Sequence, residues 1–224
     1  MRILSMPKVT IVAAMLAAAC SSANALTIPT NALVADSIQQ FSTDALDSFA
    51  TFKVTVAPMG NATPGATEGS FVLPVTSISI NLSGLKIAGG AATGSALEFS
   101  RVRLGTKVGL TLANFNINYL TQQVLADTTV IGSGTTNAQT PIYNFQRVTP
   151  LSLKYQFPLN ISMTETLGSL YLTPEAVDAF ATGLMLPNYA RAVIEAIDFG
   201  TLFQDIKVKF RSKPVSSKPY VPAL

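Results

Sequence analysis

The sequence predicts a mainly β fold, namely a β-sandwich-like domain with an N-terminal helix and a short helical pair near the C-terminus. Short segments in which apolar and polar residues alternate recur along the chain, and this period of two indicates strands that bury one face. Helical spacing of apolar residues is confined to residues 31–49 and 174–198. The composition agrees, because 48% of the 224 residues are hydrophobic and only 12% are charged. Such a chain can bury a core and draws its polar surface from hydroxyls and amides.

Residues 1–25 are predicted to be a signal peptide. Arg2 and Lys8 supply the positive charge, residues 9–19 are apolar, and Ala23 and Ala25 have the small-x-small spacing that a signal peptidase reads. The apolar run of about 11 residues is too short to span a bilayer as a helix. We therefore expect export and cleavage after Ala25. A single β-rich domain would then occupy residues 26–211.

Cys20 offers a second way to process this leader. The stretch LAAACSS resembles the lipobox of bacterial lipoproteins, whose cysteine becomes lipidated. That pattern places a Leu three positions before the cysteine, where this chain has Ala17, while Leu16 lies one position too early. Lipidation at Cys20 is the alternative to cleavage after Ala25. Either way the domain contains no cysteine and no disulfide, which suits a bacterial envelope.

The first element of the domain is predicted to be a helix at residues 31–49, with Thr30 or Asn31 as its N-cap. Its apolar residues are spaced by three or four positions, and they are Val34, Ile38, Phe41, Ala45 and Phe49. The alternating segments that follow predict strands at residues 51–57, 75–82, 97–104, 109–119, 123–131, 141–146 and 205–211. Glycine-rich loops are expected at 58–69, 89–96 and 132–140. The alternation changes phase at Ala113–Asn114, which predicts a β-bulge there.

The longest alternating stretch is LSLKYQFPLNISM, residues 151–163. Its seven odd-numbered residues are apolar, and we expect a single thirteen-residue strand that turns this face onto a second layer. Proline cannot donate a ladder hydrogen bond, so Pro158 should mark a bend or a bulge. Burial of this apolar face would contribute on the order of 10–20 kcal/mol before chain entropy is counted.

Two short helices interrupt the β pattern at residues 174–198, where they could cover an end or an open edge of the sheets. Thr173 is the predicted N-cap and Pro174 the first helical residue, and Gly183 and Pro187 separate the two helices. The last strand precedes a proline-rich flexible tail at residues 212–224. The helices and the tail argue against an integral membrane protein whose apolar strand faces meet lipid.

The sequence excludes several kinds of chemistry. It contains no histidine, which removes Ser-His-Asp catalysis and histidine metal sites. The S-x-x-K match at residues 83–86, the D-F-G triplet at 198–200 and the glycine run at 89–94 lack the partner motifs that their chemistry needs. Carboxylate pairs are the remaining route to hydrolysis, with Glu98, Asp127 and Glu165 as candidates.

Charge gives no reason to expect a nucleic-acid partner. Two of the 15 basic residues lie in the leader, which leaves 13 against 12 acidic residues and a net charge of +1. The basic residues near the C-terminus are best explained as one solvated strand face and a loose end. No cofactor or metal is predicted.

Residues 94–129, GSALEFSRVRLGTKVGLTLANFNINYLTQQVLADTT, resemble secreted or cell-surface bacterial β domains of the HtaA type. Those domains carry a short strand, an L-x-L-x-N/D run and a strand that ends near Ala-Asp. The resemblance implies a β architecture and a surface location, and the family is associated with haem capture through Tyr and His side chains. This chain has no histidine, and Tyr119, Tyr143 and Tyr155 match no known ligand position.

The predicted function is that of an exported, non-catalytic β-rich protein of a bacterial envelope or of the medium, with a structural or binding role. An alternative is a carrier that holds an apolar ligand, lipid or haem-like, between its sheets. In that case the phase change at residues 113–114 and a lid formed by residues 174–198 would suit an opening. A second alternative is a carboxylate-dependent hydrolase. The envelope surface and an apolar small molecule are the partners that these hypotheses imply.

Overall fold

The structure is a computed structural model that describes residues 25–81, 86–156 and 160–223. It is mainly β, as predicted. Within the described residues there are twelve strands: β1 Ala25–Pro29, β2 Leu33–Gln40, β3 Thr55–Gly60, β4 Thr63–Pro64, β5 Ser70–Pro74, β6 Ser77–Asn81, β7 Lys86–Arg103, β8 Thr106–Asn118, β9 Gln123–Val130, β10 Thr136–Gln156, β11 Asn160–Leu172 and β12 Thr201–Phe210. The helices are α1 Thr43–Phe52, α2 Pro174–Gly183 and α3 Asn188–Ala196.

All of these strands belong to one antiparallel sheet, where the sequence suggested two stacked layers. The strand order is β1-β6-β7-β8-β9-β10-β11-β12-β2-β5-β4, with β3 added along β7. The sheet curls on itself, so that β5, near one end of the order, lies against β7, near the other. Residues 75–76 cross between the two ends, since the Val75 amide donates to Ala35 of β2 and the Thr76 amide to Ala91 of β7.

The N-terminal helix begins later than predicted. Residues 33–40 form β2, and the helix occupies Thr43–Phe52 with Ser42 as its N-cap, whose side chain accepts a hydrogen bond from the Ala45 amide. In β2 the buried residues are Ala35, Ser37 and Gln39, while Val34 and Ile38 are only partly buried. Of the apolar residues that suggested a helix, Val34 and Ile38 therefore lie on the outer face of a strand, while Ala45 and Phe49 belong to the helix that follows.

The stretch at residues 151–163 is a hairpin, so the prediction of one bent strand was wrong. Tyr155 pairs with Ile161 and Gln156 with Asn160, which means that the chain reverses between β10 and β11. Pro158, where a bend or bulge was predicted, lies outside the described residues. The predicted loops at residues 89–96 and 132–140 were also partly wrong, because they contribute to β7 and β10.

The bulge predicted at Ala113–Asn114 is confirmed, and it belongs to a line of bulges across the sheet. Register shifts occur beside Gly94 in β7, Asn114 in β8 and Gln139 in β10, and all three residues have positive φ. Asn114 joins them, because its Oδ1 accepts from the Gly94 amide and its carbonyl accepts from Gln139 Nε2. We call these three residues the bulge line, and bulges of this kind bend a sheet.

The two helices near the C-terminus are confirmed, with Thr173 as N-cap and Pro174 in the first turn. They lie with α1 at one end of the curled sheet, over a cluster of aromatic rings. Phe180 of α2 meets Phe99 of β7 at 4.9 Å between ring centroids, and Phe49 of α1 lies 5.9 Å from the same ring. The helices therefore close what we call the helical end of the molecule. None of the helices in the described residues is long and apolar enough to cross a membrane.

Residues 212–223 contain no helix or strand, yet they run as a docked arm along the sheet instead of extending away from it. The Val215 amide donates to Asn31, and Asn61 donates to Ser216. Further along, the Tyr220 amide donates to Asn114 Oδ1, and Asn114 Nδ2 donates to the Tyr220 carbonyl. These contacts fix the path of the arm across the bulge line.

Candidate functional site

The interior of the curled sheet contains a mostly apolar cavity of about 30 Å³. Its walls come from both halves of the strand order, which the curl brings face to face. The apolar lining is Leu73, Val75, Ala91, Ala92, Leu97, Leu112, Phe115, Ile117, Val124, Tyr143 and Leu202. A second cavity of about 10 Å³ lies beside it and shares Val75, Gly90, Ile117 and Gln204 with it. Together they form a narrow interior space with room for roughly two or three water molecules.

One wall of this cavity is polar, which is unusual for so apolar an interior. Ser37 and Gln39 of β2 and Gln204 of β12 are all at least 95% buried and point inward. Gln204 Nε2 donates to Ser37 Oγ at 2.8 Å, and Gln39 Nε2 donates to the Phe199 carbonyl at 3.3 Å. We call these three residues the polar wall.

The polar wall has hydrogen-bonding capacity that the described residues leave unused. Each carboxamide oxygen can accept two hydrogen bonds. No described residue donates to the Oε1 atoms of Gln39 and Gln204. Buried polar atoms are normally paired with protein or water, so acceptors that line a cavity point to a guest with a donor. The cavity thus combines an apolar slot with two fixed acceptors.

The second cavity ends at a buried carboxylate network. Gln204 lies opposite Glu165 of β11 in the strand register, so the polar side chains continue across the sheet. Glu165 is 3% exposed, and its Oε2 accepts a hydrogen bond from the Tyr119 hydroxyl at 2.5 Å. Arg147 Nε lies 3.6 Å from Glu165 Oε1, and its guanidinium lies 4.8 Å from the centre of the Tyr119 ring. The carboxylate is therefore buried with both a donor and a countercharge.

Burial shifts the ionisation of the two interior tyrosines. Burial is the largest cause that raises the pKa of Tyr119 well above its ordinary value, and the hydrogen bond and negative charge of Glu165 add to it. Burial alone raises the pKa of Tyr143 in the same direction. Both phenols therefore stay protonated at physiological pH and can act as hydrogen-bond donors but not as phenolates.

The carboxylates proposed for hydrolysis occupy separate networks. Glu98 lies on the outer side of β7 and pairs with Lys107 at 2.6 Å. Asp127 accepts from Asn114 Nδ2 and from the Gln139 amide at the bulge line. Glu165 lies in the interior. None of these contacts joins one carboxylate to another, and no group of three metal-binding side chains occurs in the described residues.

The other residues singled out in the sequence either stabilise the fold or lie outside the described part of the structure. Asp198 of the D-F-G triplet accepts hydrogen bonds from the amides of Leu170 and Gly200, so it fixes the turn into β12. The glycine run at residues 89–94 lies in β7. Tyr155 lies on β10, but its side chain falls outside the described part of the structure. Cys20 and residues 83–85 are also outside it, while Ala25 begins β1.

The comparisons with known proteins give one structural likeness. No protein-family model matches the chain, and no curated protein sequence matches it. The fold is similar to that of the C-terminal domain of HtaA from Corynebacterium glutamicum. The match covers 78% of this chain and 98% of that domain, with a TM-score of 0.50 and 12% sequence identity. The resemblance noted at residues 94–129 therefore extends over most of the fold.

At 12% identity this likeness describes the architecture alone. It agrees with a single curled β sheet and carries no ligand or residue role to this chain. The polar wall had no clear sequence signal, because Ser37 and Gln39 fell inside the predicted helix. The period of two within β2, which places Ser37 and Gln39 inside beside Ala35, is the pattern that could have revealed it.

Proposed function

We propose that this protein is an exported, non-catalytic binding protein of a bacterial envelope that takes an apolar ligand inside its curled sheet. The observation that carries the proposal is the apolar cavity with its polar wall of Ser37, Gln39 and Gln204. A purely structural protein would gain stability by filling this space with apolar side chains. Two carboxamides that line an otherwise apolar cavity are more typical of a binding site.

The polar wall suggests the chemistry of the ligand. It offers carboxamide oxygens, and the buried carboxylate of Glu165 lies one strand further along the same row. An anionic head group would be repelled there. The favoured ligand is therefore apolar with an uncharged hydrogen-bond donor such as a hydroxyl or an amide. The chain contains no histidine that could coordinate the iron of a haem-like ligand.

The free volume is smaller than any lipid, so the sheet must open for a ligand to enter. We infer that the end opposite the helices is the weaker one, because the buried apolar cluster that the described residues form there consists of Ala35, Val75, Ile78 and Ile206. The helical end is closed by the larger aromatic cluster, so residues 174–198 do not suit a lid. Segments with few buried apolar contacts open at the lowest free energy. We infer that ligand enters between β6 and β12.

The experiment compares ligand binding by the wild type with two interior variants. Gly90 lines both cavities, and a Cβ added there meets its nearest atom only at 3.9 Å, so Gly90→Ala fills free space without a clash. We expect it to weaken the binding of an apolar fluorescent dye by roughly tenfold. Gln204→Leu should weaken binding of a long-chain alcohol more than that of the matching alkane. Gln146→Leu, at an exposed position on β10, is the control and should change neither.

Native mass spectrometry of the protein purified from exporting cells tests the same idea without a chosen probe. A co-purifying apolar molecule that is lost in Gly90→Ala supports the proposal. A clean apo mass, together with unchanged dye binding in both interior variants, would favour the structural role instead. The same spectrum reports the leader, since cleavage after Ala25 gives a chain that begins at Leu26, and lipidation gives one that begins at a modified Cys20.

A further inference from the structure

A surface groove at the helical end contains an arginine, Arg101, with two buried nitrogens that pair with no described residue. The groove has a volume of about 500 Å³ and lies between the C-terminus of α1, the β7–β8 hairpin and the link between α2 and α3. Two nitrogens of Arg101, Nε and Nη1, are buried there, and neither has a hydrogen-bond partner. Most buried polar atoms in proteins are paired, so this group requires an explanation.

The charged side chains around Arg101 are all positive. Among the described residues, the groove is lined by Lys53, Arg101 and Arg103 and by no carboxylate. None of these three cations lies within 4.0 Å of an acidic side chain in the described part of the structure. The nearby Lys107 and Arg191 differ, because they pair with Glu98 and Asp178. The groove thus brings together three cations that have no acidic partner among the described residues.

The end of α1 accounts for part of this arrangement but not for all of it. Helix C-termini attract cations, and Lys53 caps α1 with a left-handed φ of 55°. However, the carbonyls at that end make no hydrogen bond to Arg101. A buried charged nitrogen without a partner costs more than a neutral one, so the dipole alone does not satisfy the group. Both unpaired nitrogens are inaccessible in this conformation, so an oxyanion would satisfy the guanidinium once its side chain turns toward the groove. Nε and Nη2 lie on one edge of the group and form a fork that matches two oxygens.

The other side chains of the groove are mainly apolar, and contacts between the surrounding elements hold them in place. Phe52 and Tyr189 place their rings 6.4 Å apart on one side. Val102 and Leu104 of the hairpin are 69% and 97% exposed, with no described residue covering them. Arg103 donates to the Met185 carbonyl at 3.0 Å, which ties the hairpin to the helix link. A ligand that carries an apolar chain could therefore lie along this surface while its anionic group reaches Arg101.

We propose that the groove binds a phosphate or carboxylate group attached to an apolar body, with Arg101 as the bidentate partner and Lys53 as a second cation. This site is separate from the interior cavity, whose polar wall favours an uncharged head group. The same chemistry occurs in an anionic lipid head group at a membrane surface and in a free amphiphile such as an alkyl phosphate.

The experiment measures binding of the full mature chain to three probes. These are phosphatidylglycerol vesicles with phosphatidylcholine vesicles as reference, a short alkyl phosphate below its micelle concentration, and inorganic phosphate as competitor. We expect binding to at least one anionic amphiphile, with no binding to phosphatidylcholine. Arg101→Gln should weaken it at least tenfold and Arg101→Lys should restore it only in part, because lysine keeps the charge but loses the fork. Arg191→Gln, which removes a paired cation, is the matched control and should bind as the wild type does.

The possible outcomes distinguish a lipid head group from a free amphiphile, and some of them would contradict the proposed site. Vesicle binding that depends on Arg101 identifies a lipid head group, whereas binding of the alkyl phosphate alone identifies a free amphiphile. If Arg101→Gln fails to fold, Lys53→Gln at an exposed position supplies the comparison, and inorganic phosphate must still displace the amphiphile from the wild type. Binding to none of the anions, or equal binding by the wild type, Arg101→Gln and Lys53→Gln, would contradict the proposal.

Discussion

The side chain of Asn114 makes several hydrogen bonds that stabilise the bend of the sheet at the bulge line. Asn114 is 8% exposed, and its side chain bonds to Gly94, Asp127 and both polar groups of the Tyr220 peptide. Its φ of 53° lies in the left-handed region, which asparagine tolerates better than most residues. One residue therefore joins the bulge line to the C-terminal arm.

Asn114→Ala should lower the free energy of unfolding by about 2–4 kcal/mol, because it leaves buried partners unsatisfied and places alanine at a positive φ. Denaturant titration measures the change. Asn116→Ala, two residues along the same strand and exposed, should stay within about 0.5 kcal/mol of the wild type. Similar losses of stability for the two variants would show that Asn114 does not stabilise the bend at the bulge line.

The interior tyrosines give a prediction for alkaline pH. Burial raises the pKa of Tyr119 and of Tyr143 above that of an unfolded chain. A raised folded pKa means that the unfolded state loses its proton first, so the stabilisation is complete below the unfolded value near 10 and is lost as the pH rises above it. Each tyrosine should contribute a loss of about 1.4 kcal/mol per pH unit.

Denaturant midpoints measured between pH 9 and pH 11 should therefore fall less steeply in Tyr143→Phe than in the wild type. Comparison of the two slopes removes the contributions that the variant and the wild type share. Tyr171→Phe, at a side chain that is 43% exposed, is the control and should keep the wild-type slope. Equal slopes in all three proteins would mean that Tyr143 is not buried as described.

At the scale of elements, the close approach of β7 and β8 depends on glycine. Gly109 of β8 lies opposite Ser100 of β7, and a Cβ added there would come within 2.1 Å of the Phe99 carbonyl oxygen. Backbone atoms cannot move away cheaply at that distance. The strand pair beneath α2 therefore requires a residue without a side chain.

Gly109→Ala should destabilise the domain by about 3 kcal/mol or more, or prevent folding, because it forces β7 and β8 apart beneath α2. Thermal unfolding and the yield of folded protein measure the effect. Gly90→Ala, on β7 and without a close neighbour, is the matched control and should fold normally. Normal stability of Gly109→Ala would show that the two strands are further apart than the structure places them.

The sequence predicted the types of secondary-structure elements better than their boundaries. The helix start at Thr173 and the bulge at Asn114 had local signals, namely a capping residue before proline and a change of phase, and both are confirmed. β2 was assigned to a helix because its apolar residues face outward. The reversal between β10 and β11 was missed because the alternation of residues 151–163 continues across it, so that Pro158 suggested a bend or bulge within one strand.

The candidate site could not be predicted from the sequence for a different reason. The cavity forms only when β2, β5 and β12 face β7 and β8, and these strands are far apart along the chain. Gln39 and Gln204, for example, are separated by more than 160 residues. The Arg101 groove likewise combines a hairpin with the ends of two helical segments. Such pairings depend on the curl of the sheet, which no local pattern encodes.

At the scale of the whole molecule, the helices and the aromatic cluster close one end of the curled sheet, and we infer that the other end opens more easily. The aromatic cluster under the helices is large, whereas the cluster of Ala35, Val75, Ile78 and Ile206 at the other end is small. This asymmetry gives a ligand one way into the interior. It also separates the interior site from the cationic groove, which lies at the helical end.

The central claim is that an apolar ligand occupies the interior of the sheet. Methyl NMR spectra recorded while a long-chain alcohol is added test it most directly, because they report which side chains the ligand touches. We expect saturable shifts of the Leu97, Leu112 and Val124 methyls, which line the cavity, and in Gly90→Ala the same shifts only at roughly tenfold higher alcohol concentration. Shifts confined to the exposed Val102 and Leu104, or no saturable shifts at all, would contradict the claim.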